Sequence, residues 1–438
     1  MENYKSFWDE IQEKYKIVIT TFTPPPYASA CMRVELELKD PEKRPLCDIC
    51  NRRPNIHDYT KKEVTLGTLN GCPIVCCFKH CRYMCKKCNI TFIEEFDWLP
   101  WHSGMTTDAK NYAISRLGSL TFIDISRDIG CSTQTISNIA REFGETERKS
   151  NLSKRYRFLS MDEIFVSRDA DGKGQYYWVL NDLSTPWRAN NIRIDKGRNK
   201  EDVIARLKEL DHLNTVEAVC IDMWSQYRDA IHEVMPNAEV VVDPFHVIQL
   251  AHREFEKVRK GLSVDALTKA AMKKDAKLFL TSLFKLTDSE LDRLEGYLQA
   301  SPVLEKAYFI VQELSGLYRI KFYDDALEYL AKWETEVLSS GNPEMNSVLQ
   351  TVQNWLPYIM NHFIFRISNG KTEGKNHMIR VIDKMGFHYG IDALQGCVYA
   401  HEQKQAYLKW LKHLKRKERK TSCAKQKEAN SQPKRIAA

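Results

Sequence analysis

The sequence predicts a multidomain α+β protein: a cysteine-rich module and a helical pair precede an α/β layer that a helical insertion interrupts. Three observations predict this class. Paired cysteines cluster before residue 90, apolar residues recur at helical spacing between about residues 106 and 141, and short apolar runs typical of strands begin at residue 158. At 438 residues the chain is long enough for about two to four domains.

Composition predicts a globular protein with a polyanionic partner. Hydrophobic residues make up 43% and aromatic residues 11% of the chain, which excludes a disordered protein. The net charge of +7 is modest, but the excess gathers near the N-terminal cysteines and in the C-terminal tail. No run approaches the roughly 18 apolar residues of a membrane span, and the N-terminus lacks a signal-peptide core. We therefore expect a cytoplasmic protein with no membrane partner, whose 13 cysteines bind metal rather than form disulfides.

The N-terminal segment, residues 1–45, is predicted to support the module that follows it. A Thr23-Pro24-Pro25-Pro26 sequence breaks an amphipathic start. Residues 32–38 then alternate between apolar and polar side chains, the period of a strand. This strand is expected to pack against the small domain that follows it.

Residues 46–98 are predicted to form a zinc ribbon. Two CxxC pairs, Cys47/Cys50 and Cys85/Cys88, have the spacing that lets two tight turns bind one Zn²⁺, and the gap of about 35 residues leaves room for a hairpin. Four cysteines leave no open coordination position, so the metal would be structural. A second set of residues offers alternative ligands, a second metal or buried free thiols: His57, Cys72, Cys76, Cys77, His80 and Cys81.

Residues 104–145 are predicted to form a helix-turn-helix. Two amphipathic stretches flank a turn at Gly130, and Ser132 is the expected N-cap of the second helix. An ordinary helical hairpin would show the same pattern, but a basic cysteine module directly upstream favours DNA binding. With Ser132, the side chains expected to reach base edges or phosphates are Thr133, Gln134, Ser137, Asn138 and Arg141.

Residues 156–250 are predicted to form the first part of an RNase H-like α/β core. Three strands are expected at residues 158–166, 176–183 and 188–194, followed by a helix, an almost wholly apolar strand at 216–222, a helix and a strand at 238–242. Three hairpin strands followed by alternating helix and strand are the order of that fold. The first strand carries Asp162 in its middle, and the fourth ends on Asp222.

The rest of the chain is predicted to be mostly helical. Residues 251–362 read as a helical insertion, with helices expected over residues 264–284, 288–299 and 301–339. Residues 363–400 read as the last part of the core, with Glu373 near the start of a helix. Residues 401–438 form a basic tail whose end is expected to be disordered.

Three carboxylates are expected to converge on divalent metal. Asp162 and Asp222 would be neighbours because the first and fourth strands of such a sheet are adjacent, and Glu373 would pack beside them. Unfilled, the three charges would repel one another, whereas two Mg²⁺ (or Mn²⁺) ions about 4 Å apart would neutralise them and support in-line phosphoryl transfer.

These features together resemble the ISL3 family of bacterial insertion-sequence transposases. The resemblance rests on the four-cysteine ribbon, the helix-turn-helix and the segments "MDE", "IDMWSQYRDAI", "PNAEVVVDPFHV" and "NGKTEGKNHMIR". They follow one another in that order over about residues 45–400. The resemblance implies a DDE transposase that cuts and joins DNA at terminal inverted repeats and inserts it into target DNA. It implies that Asp162, Asp222 and Glu373 are the catalytic residues.

Some assignments stay open at the level of sequence. Asp243 is a second candidate for the middle carboxylate, ahead of Asp182 and Asp195, and His246 is either an accessory near the metals or a core histidine. Joining two DNA ends predicts a homodimer or larger oligomer. The alternative function is a domesticated regulator that binds DNA without catalysis. Around Glu373, four residues are expected either to bind the DNA backbone or to lie on a solvated helix face: Lys371, Lys375, Asn376 and Arg380.

Overall fold

The computed structural model describes residues 13, 15–23, 31–39, 44–69, 71–96, 99, 104–168, 171–185 and 190–431, with the backbone alone from residue 417 onward. The proline-rich break and the last residues of the tail lie outside this range. The chain divides into two compact units, residues 1–147 with 379–438, and residues 148–378. No helix in the described ranges is long and apolar enough to cross a membrane.

The first unit contains a five-stranded sheet. Its strands are β1 (Tyr15–Thr23), β2 (Cys31–Leu38), β3 (Asn55–Leu69), β4 (Cys72–Cys85) and β5 (Ile90–Ile93). They lie in the order β1-β2-β4-β3, with β5 paired to the end of β4, and only the β2–β4 pairing is parallel. The predicted alternating strand is β2, and its Val34 and Leu36 enter the core with Val64 and Phe78. The hairpin expected between the two CxxC pairs is β3–β4.

Three helices follow this sheet: α1 (Thr107–Arg116), α2 (Phe122–Ile129) and α3 (Thr133–Leu152). Hydroxyl groups cap the first two, since Thr106 accepts the N–H of Ala109 and Thr121 that of Asp124. Gly130 ends α2 with φ 75°, a left-handed conformation that favours glycine, and a Cβ there would lie 2.9 Å from the ring of Pro73.

The second unit contains a mixed sheet. Its strands are β6 (Phe158–Arg168), β7 (Gly174–Asp182), β8 (Asn190–Lys196), β9 (Ala218–Ile221) and β10 (Glu239–Val242), in the order β10-β9-β6-β7-β8. β6, β7 and β8 pair antiparallel, whereas β9 runs parallel to both β6 and β10. Every residue of β9 is buried, with 219 and 221 in one apolar cluster and 218 and 220 in another, as expected for a central strand covered on both faces.

Helices connect and extend this sheet. Those between strands are α4 (Lys200–Leu207) and α5 (Ser225–Val234), with a short 3₁₀ turn at Leu213–Thr215. After β10 come α6 (Pro244–Gly261), α7 (Ala266–Lys274), α8 (Ala276–Leu280), a 3₁₀ turn (Leu283–Lys285), α9 (Asp288–Gln299), α10 (Pro302–Leu317), α11 (Tyr323–Ser340), α12 (Pro343–Asn354), α13 (Leu356–Met360) and α14 (His362–Phe365).

The helical insertion is more broken than its apolar pattern predicts. The expected continuous helix over residues 301–339 is two helices, because the chain turns after Leu317 and α11 folds back onto α10. The indole N–H of Trp333 then donates to the carbonyl of Ile310 at 2.9 Å, which satisfies both buried groups. Periodicity alone does not reveal such a reversal.

The last two helices are α15 (Gly370–Met385) and α16 (Ile391–Ser431). Residues 363–378 belong to the second unit, whereas residues from 379 onward belong to the first. The cause is a close helix crossing: Gly144 of α3 meets Gly396 of α16, and a Cβ on Gly396 would collide with the carbonyl of Ala140. The tail is helical as far as Ser431, and its last residues, expected to be disordered, lie outside the described residues.

Candidate active site, cysteine cluster and helix pair

Asp162 lies in the middle of β6 in a setting that disfavours its ionised form. It is half-buried, and its burial together with the nearby charge of Asp222 raises its pKa to about 7. Its Oδ1 accepts the backbone N–H of Glu163 at 2.7 Å, and its Oδ2 accepts Nδ2 of Asn376 at 2.6 Å. Both oxygens of this carboxylate are therefore fixed in direction.

Asp222 follows the last residue of β9 and is paired with His246. The distance between His246 Nε2 and Asp222 Oδ1 is 2.7 Å. Burial alone would lower the pKa of His246, but the hydrogen bond and charge of Asp222, with the charges of Asp243 and Asp162, raise it above its ordinary value. Strand pairing between β6 and β9 explains why Asp222 and Asp162 are close enough to interact.

Asp243 and Asp195 have structural partners. Asp243 follows β10, is 2% exposed, and accepts the backbone N–H of Asn369 at 3.1 Å, so it ties the start of α15 to the sheet. Asp195 on β8 binds the buried guanidinium of Arg193 at 2.6 Å. Asp182, at the end of β7, accepts the backbone N–H of Ser184.

Helix α15 lies against the sheet through one polar face. Asn369, just before its first residue, and Thr372 and Asn376 within it are buried, and the hydroxyls of Thr372 and Ser160 are 2.7 Å apart. Glu373 lies in the first turn of this helix and is exposed. Asp162, Asp222 and Glu373 do not bring their ligand atoms within 4.8 Å of one another; among the described residues only four cysteines form a group of three or more that does so.

Asn376 is the residue whose role the sequence did not reveal. We expected it to bind the DNA backbone or lie on a solvated face, but it is 3% exposed and donates to Asp162, so that expectation is wrong. Its Oδ1 has no hydrogen-bond partner among the described residues. The only sequence clue is its position one helical turn after Glu373. Lys371 and Arg380, by contrast, are exposed on α15, and Lys375 is half-buried.

The donor set around Asp162 fits a hard divalent cation. It consists of carboxylate oxygens with the unpaired amide oxygen of Asn376 close by, which are ligands that suit Mg²⁺ or Mn²⁺ rather than a soft metal. Burial, with the nearby charge of Asp222, raises the pKa of Asp162, and a cation bound between the two carboxylates would lower it again.

The four cysteines predicted to bind zinc lie together. The sulfur atoms of Cys47, Cys50, Cys85 and Cys88 are all within 4.8 Å of one another, and those of Cys50 and Cys85 are 3.5 Å apart. Tetrahedral Zn²⁺ with Zn–S bonds of about 2.3 Å would set sulfurs about 3.8 Å apart, so the group fits zinc. The backbone N–H of Cys88 helps to lower the pKa of the Cys85 thiol to about 7, which favours the thiolate that binds metal.

The two cysteine turns share one backbone design. Asn51 follows the first pair with φ 54°, and Asn89 follows the second with φ 51°. Asparagine is one of the few residues besides glycine that adopts this left-handed conformation at low cost. The second turn is also the β4–β5 connection, so the sheet itself holds Cys85 and Cys88 in place.

The second set of possible ligands does not form a cluster in the described part of the chain. Its four cysteines are spread along β4: Cys72, Cys76 and Cys81 are buried, while Cys77 lies 3.3 Å from the guanidinium of Arg33. The ring of His80 bonds to the carbonyl of Glu94 at 2.9 Å.

Helix α3 presents the predicted polar side chains to solvent. Ser132 caps it by accepting the backbone N–H of Thr135 at 3.1 Å. Ile136, Ile139 and Ala140 are buried on its inner face. On the outer side Thr133 is exposed and Ser137 is half-buried, and Asn138 accepts hydrogen bonds from Gln134 and Arg141, all three of them exposed.

Comparison with known protein families defines the class. A transposase family model of the DDE type, ISL3, matches residues 159–395, more than half of the chain, and a model described as the helix-turn-helix domain of transposase family ISL3 matches residues 94–144. The protein belongs to the ISL3 family of transposases. This confirms the family predicted from the sequence motifs and confirms the helix-turn-helix.

Two individual proteins are similar to the chain. The transposase for insertion sequence element IS1001 of Bordetella parapertussis is 24% identical over 365 residues, which cover 81% of this chain and 88% of that protein. A solved structure described as the Drosophila P element transposase strand transfer complex covers 68% of this chain and 92% of its own, with 11% identity and a TM-score of 0.38.

Proposed function

We propose that this transposase binds the terminal inverted repeats of its insertion sequence and catalyses Mg²⁺-dependent DNA cleavage and strand transfer. The observation that carries the proposal is the pairing of Asp162 and Asp222 at adjacent strands within the family match. The catalytic residues proposed are Asp162, Asp222 and Glu373. Asp243 and His246 act as accessories, because Asp243 anchors α15 and His246 is paired with Asp222.

The sheet of the second unit supports an RNase H-like core. Three strands joined as antiparallel hairpins, β6, β7 and β8, with the parallel strands β9 and β10 on the other side of β6, form the order predicted for that fold. In this arrangement β6 is central, so a carboxylate in its middle lies beside the end of β9. The helical insertion follows β10 and rejoins the sheet through α15.

Residues around the carboxylates fix the orientations in which they would bind metal. Bound divalent ions would activate the attacking oxygen and stabilise the leaving oxygen of an in-line displacement. Asn376 and the backbone N–H of Glu163 fix the orientation of Asp162. His246 fixes the orientation of Asp222 and balances part of the negative charge. Glu373, exposed on α15, is proposed to complete the set when DNA and metal are bound.

The first unit is proposed to recognise the DNA ends. The four cysteines would bind one structural Zn²⁺, and α3 would lie in the major groove. Thr133, Gln134, Ser137, Asn138 and Arg141 would contact bases or phosphates there, with Ser132 at the helix start. Lys371, Lys375 and Arg380 would contact the DNA backbone beside the catalytic site.

The working assembly is proposed to be at least a homodimer, because two DNA ends must be joined, acting on the bacterial nucleoid in the cytoplasm. No observation favours the alternative of a regulator that binds DNA without catalysis. A regulator that had lost activity would tolerate loss of a carboxylate, whereas Asp162, Asp222 and Glu373 are all present.

Cleavage of DNA carrying the element ends tests this proposal. Wild-type protein with Mg²⁺ should nick or cut the DNA at the element boundary, and Asp162→Ala, Asp222→Ala and Glu373→Ala should each abolish cutting while leaving DNA binding intact. Asp229→Ala is the matched control, since this carboxylate on α5 is paired with Arg228 at the surface and should not be needed.

Full cutting by any one of the three variants would remove that residue from the site. Specific binding of the ends with no metal-dependent cutting by the wild type would instead establish the regulator.

A further inference from the structure

We propose that the C-terminal helix is part of the DNA interface: its residues 403–416, here called the basic segment, bind the phosphate backbone as a fixed extension of the helix-turn-helix. This rests on the proposed function only in taking DNA as the partner. The sequence suggested no more than a loose electrostatic role for this part of the chain. The structure gives it a defined shape and a defined attachment.

The attachment is built from glycines. A Cβ on Gly144 would lie 2.9 Å from the backbone nitrogen of Gly396, and a Cβ on Gly118 would meet the carbonyl of Cys397, so α16 touches the helix-turn-helix backbone directly at two places. Two polar contacts extend the joint: His401 Nδ1 is 3.1 Å from the carbonyl oxygen of Gly118, and Lys404 Nζ donates to Ser119 Oγ at 3.1 Å. A close backbone crossing of this kind fixes the direction of the helix that leaves it.

The charge of the segment beyond this joint is entirely positive. Residues 403–416 include no aspartate or glutamate and five cationic residues, Lys404, Lys409, Lys412, Lys415 and Arg416. The last four are exposed, and none forms an ion pair with another residue whose side chain the structure describes. Cations left without carboxylate partners on a rigid helix match the phosphate backbone of DNA.

The cations have the spacing of a single contact face. Lys409, Lys412 and Arg416 are three and four residues apart, so they lie on one side of the helix, within about 60° of rotation. The opposite side carries Tyr407 and Trp410, which are 57% and 54% exposed with ring centroids 5.8 Å apart. A second copy of the chain covering that apolar side is the competing occupant of this helix, and it predicts no effect of the cations on DNA binding.

Salt dependence of DNA affinity tests the proposal. The triple variant Lys409→Gln, Lys412→Gln and Arg416→Gln removes up to three phosphate contacts while glutamine keeps a similar helix propensity. The probe is a mixed-sequence 30-base-pair duplex, so no terminal repeat is needed. The slope of log Kd against log salt should be less steep by about 2–3, and affinity at low salt should fall at least about tenfold.

The matched control neutralises three exposed lysines of the second unit, Lys273→Gln, Lys274→Gln and Lys306→Gln. It should keep the wild-type slope. An unchanged slope in the α16 variant would overturn the proposal, and so would an equal change in both variants, because that would be a general effect of net charge. Loss of self-association in sedimentation, without a change of slope, would assign the helix to subunit pairing instead.

The two proposals fail separately. If the slope changes as expected but the wild type never cuts element ends, the basic segment binds DNA and the catalytic proposal is wrong. If element ends are cut but the triple variant keeps the wild-type slope of log Kd against log salt, the catalytic proposal holds and the basic segment has another role.

Discussion

At the scale of single residues, the defining feature is Asp162, a carboxylate whose surroundings disfavour its ionised form. Asp162 is oriented by two hydrogen-bond donors yet lies near Asp222, and burial raises its pKa to about 7. Such a group lowers the stability of the metal-free protein and gains most from a bound cation. Under the proposed function, this cost in stability is the compromise expected of a catalytic site.

Replacing Asp162 with Asn should therefore stabilise the protein when no Mg²⁺ is present. The neutral amide removes the repulsion from Asp222, and the unpaired Oδ1 of Asn376 can accept a hydrogen bond from it. We expect Tm to rise by about 2–8 °C, measured by differential scanning fluorimetry, and cleavage to be lost.

Asp229→Asn is the control for that change and should leave Tm nearly unchanged, because a partly exposed ion pair between neighbouring residues contributes about 1 kcal/mol or less. A fall in Tm for Asp162→Asn would mean that the negative charge of Asp162 stabilises the fold, and it would contradict this prediction.

Asn376 should influence the metal requirement without touching DNA affinity. Asn376→Ala removes the donor to Asp162 Oδ2, so the Mg²⁺ concentration giving half-maximal cleavage should rise by about 10–100-fold. Lys371→Ala, an exposed change on the same helix, should alter DNA affinity but not the Mg²⁺ requirement. Equal Mg²⁺ requirements in wild type and Asn376→Ala would show that this amide does not position Asp162.

At the scale of elements, two cysteine turns and one glycine crossing hold the first unit together. The β4–β5 connection positions one cysteine pair, and the turn before β3 positions the other. The glycine crossing attaches α16 to α3 at a distance that any larger side chain would prevent. Both devices join segments that are far apart in the sequence.

Zinc content tests the cysteine cluster. Cys85→Ser should reduce bound zinc from about one ion per chain to nearly none, measured by elemental analysis of the purified protein, and should weaken binding to element ends. Cys77→Ser alters a cysteine of the same sheet outside the cluster and should keep its zinc. Equal zinc in both variants would disprove the four-cysteine site.

The glycine crossing can be tested by adding one methyl group. Gly396→Ala places a Cβ against the carbonyl of Ala140, and urea unfolding should show a loss of about 1–3 kcal/mol. Gly296→Ala in α9 meets no atom within 4 Å and should instead stabilise by about 0.5–1 kcal/mol. An unchanged free energy of unfolding in Gly396→Ala would mean that the two helices are not closely packed.

At the scale of the whole molecule, sequence predicted local elements better than their assembly. Strands β6 to β10 were predicted within a few residues, because apolar runs between turns define them, and their adjacency follows from the order of elements. The crossing of α3 and α16 was not predictable, since a glycine gives no hint of a partner about 250 residues away. The same is true of Asn376, whose burial depends on how α15 is rotated against the sheet.

The central claim is that Asp162 and Asp222 share divalent metal. Anomalous scattering from crystals of the protein with an element-end duplex and Mn²⁺ tests it most directly. We expect an anomalous peak between these two carboxylates, with Glu373 brought to the same site, and no peak there in Asp162→Asn. Mn²⁺ bound elsewhere, or an empty site between Asp162 and Asp222 in the wild-type complex, would contradict it.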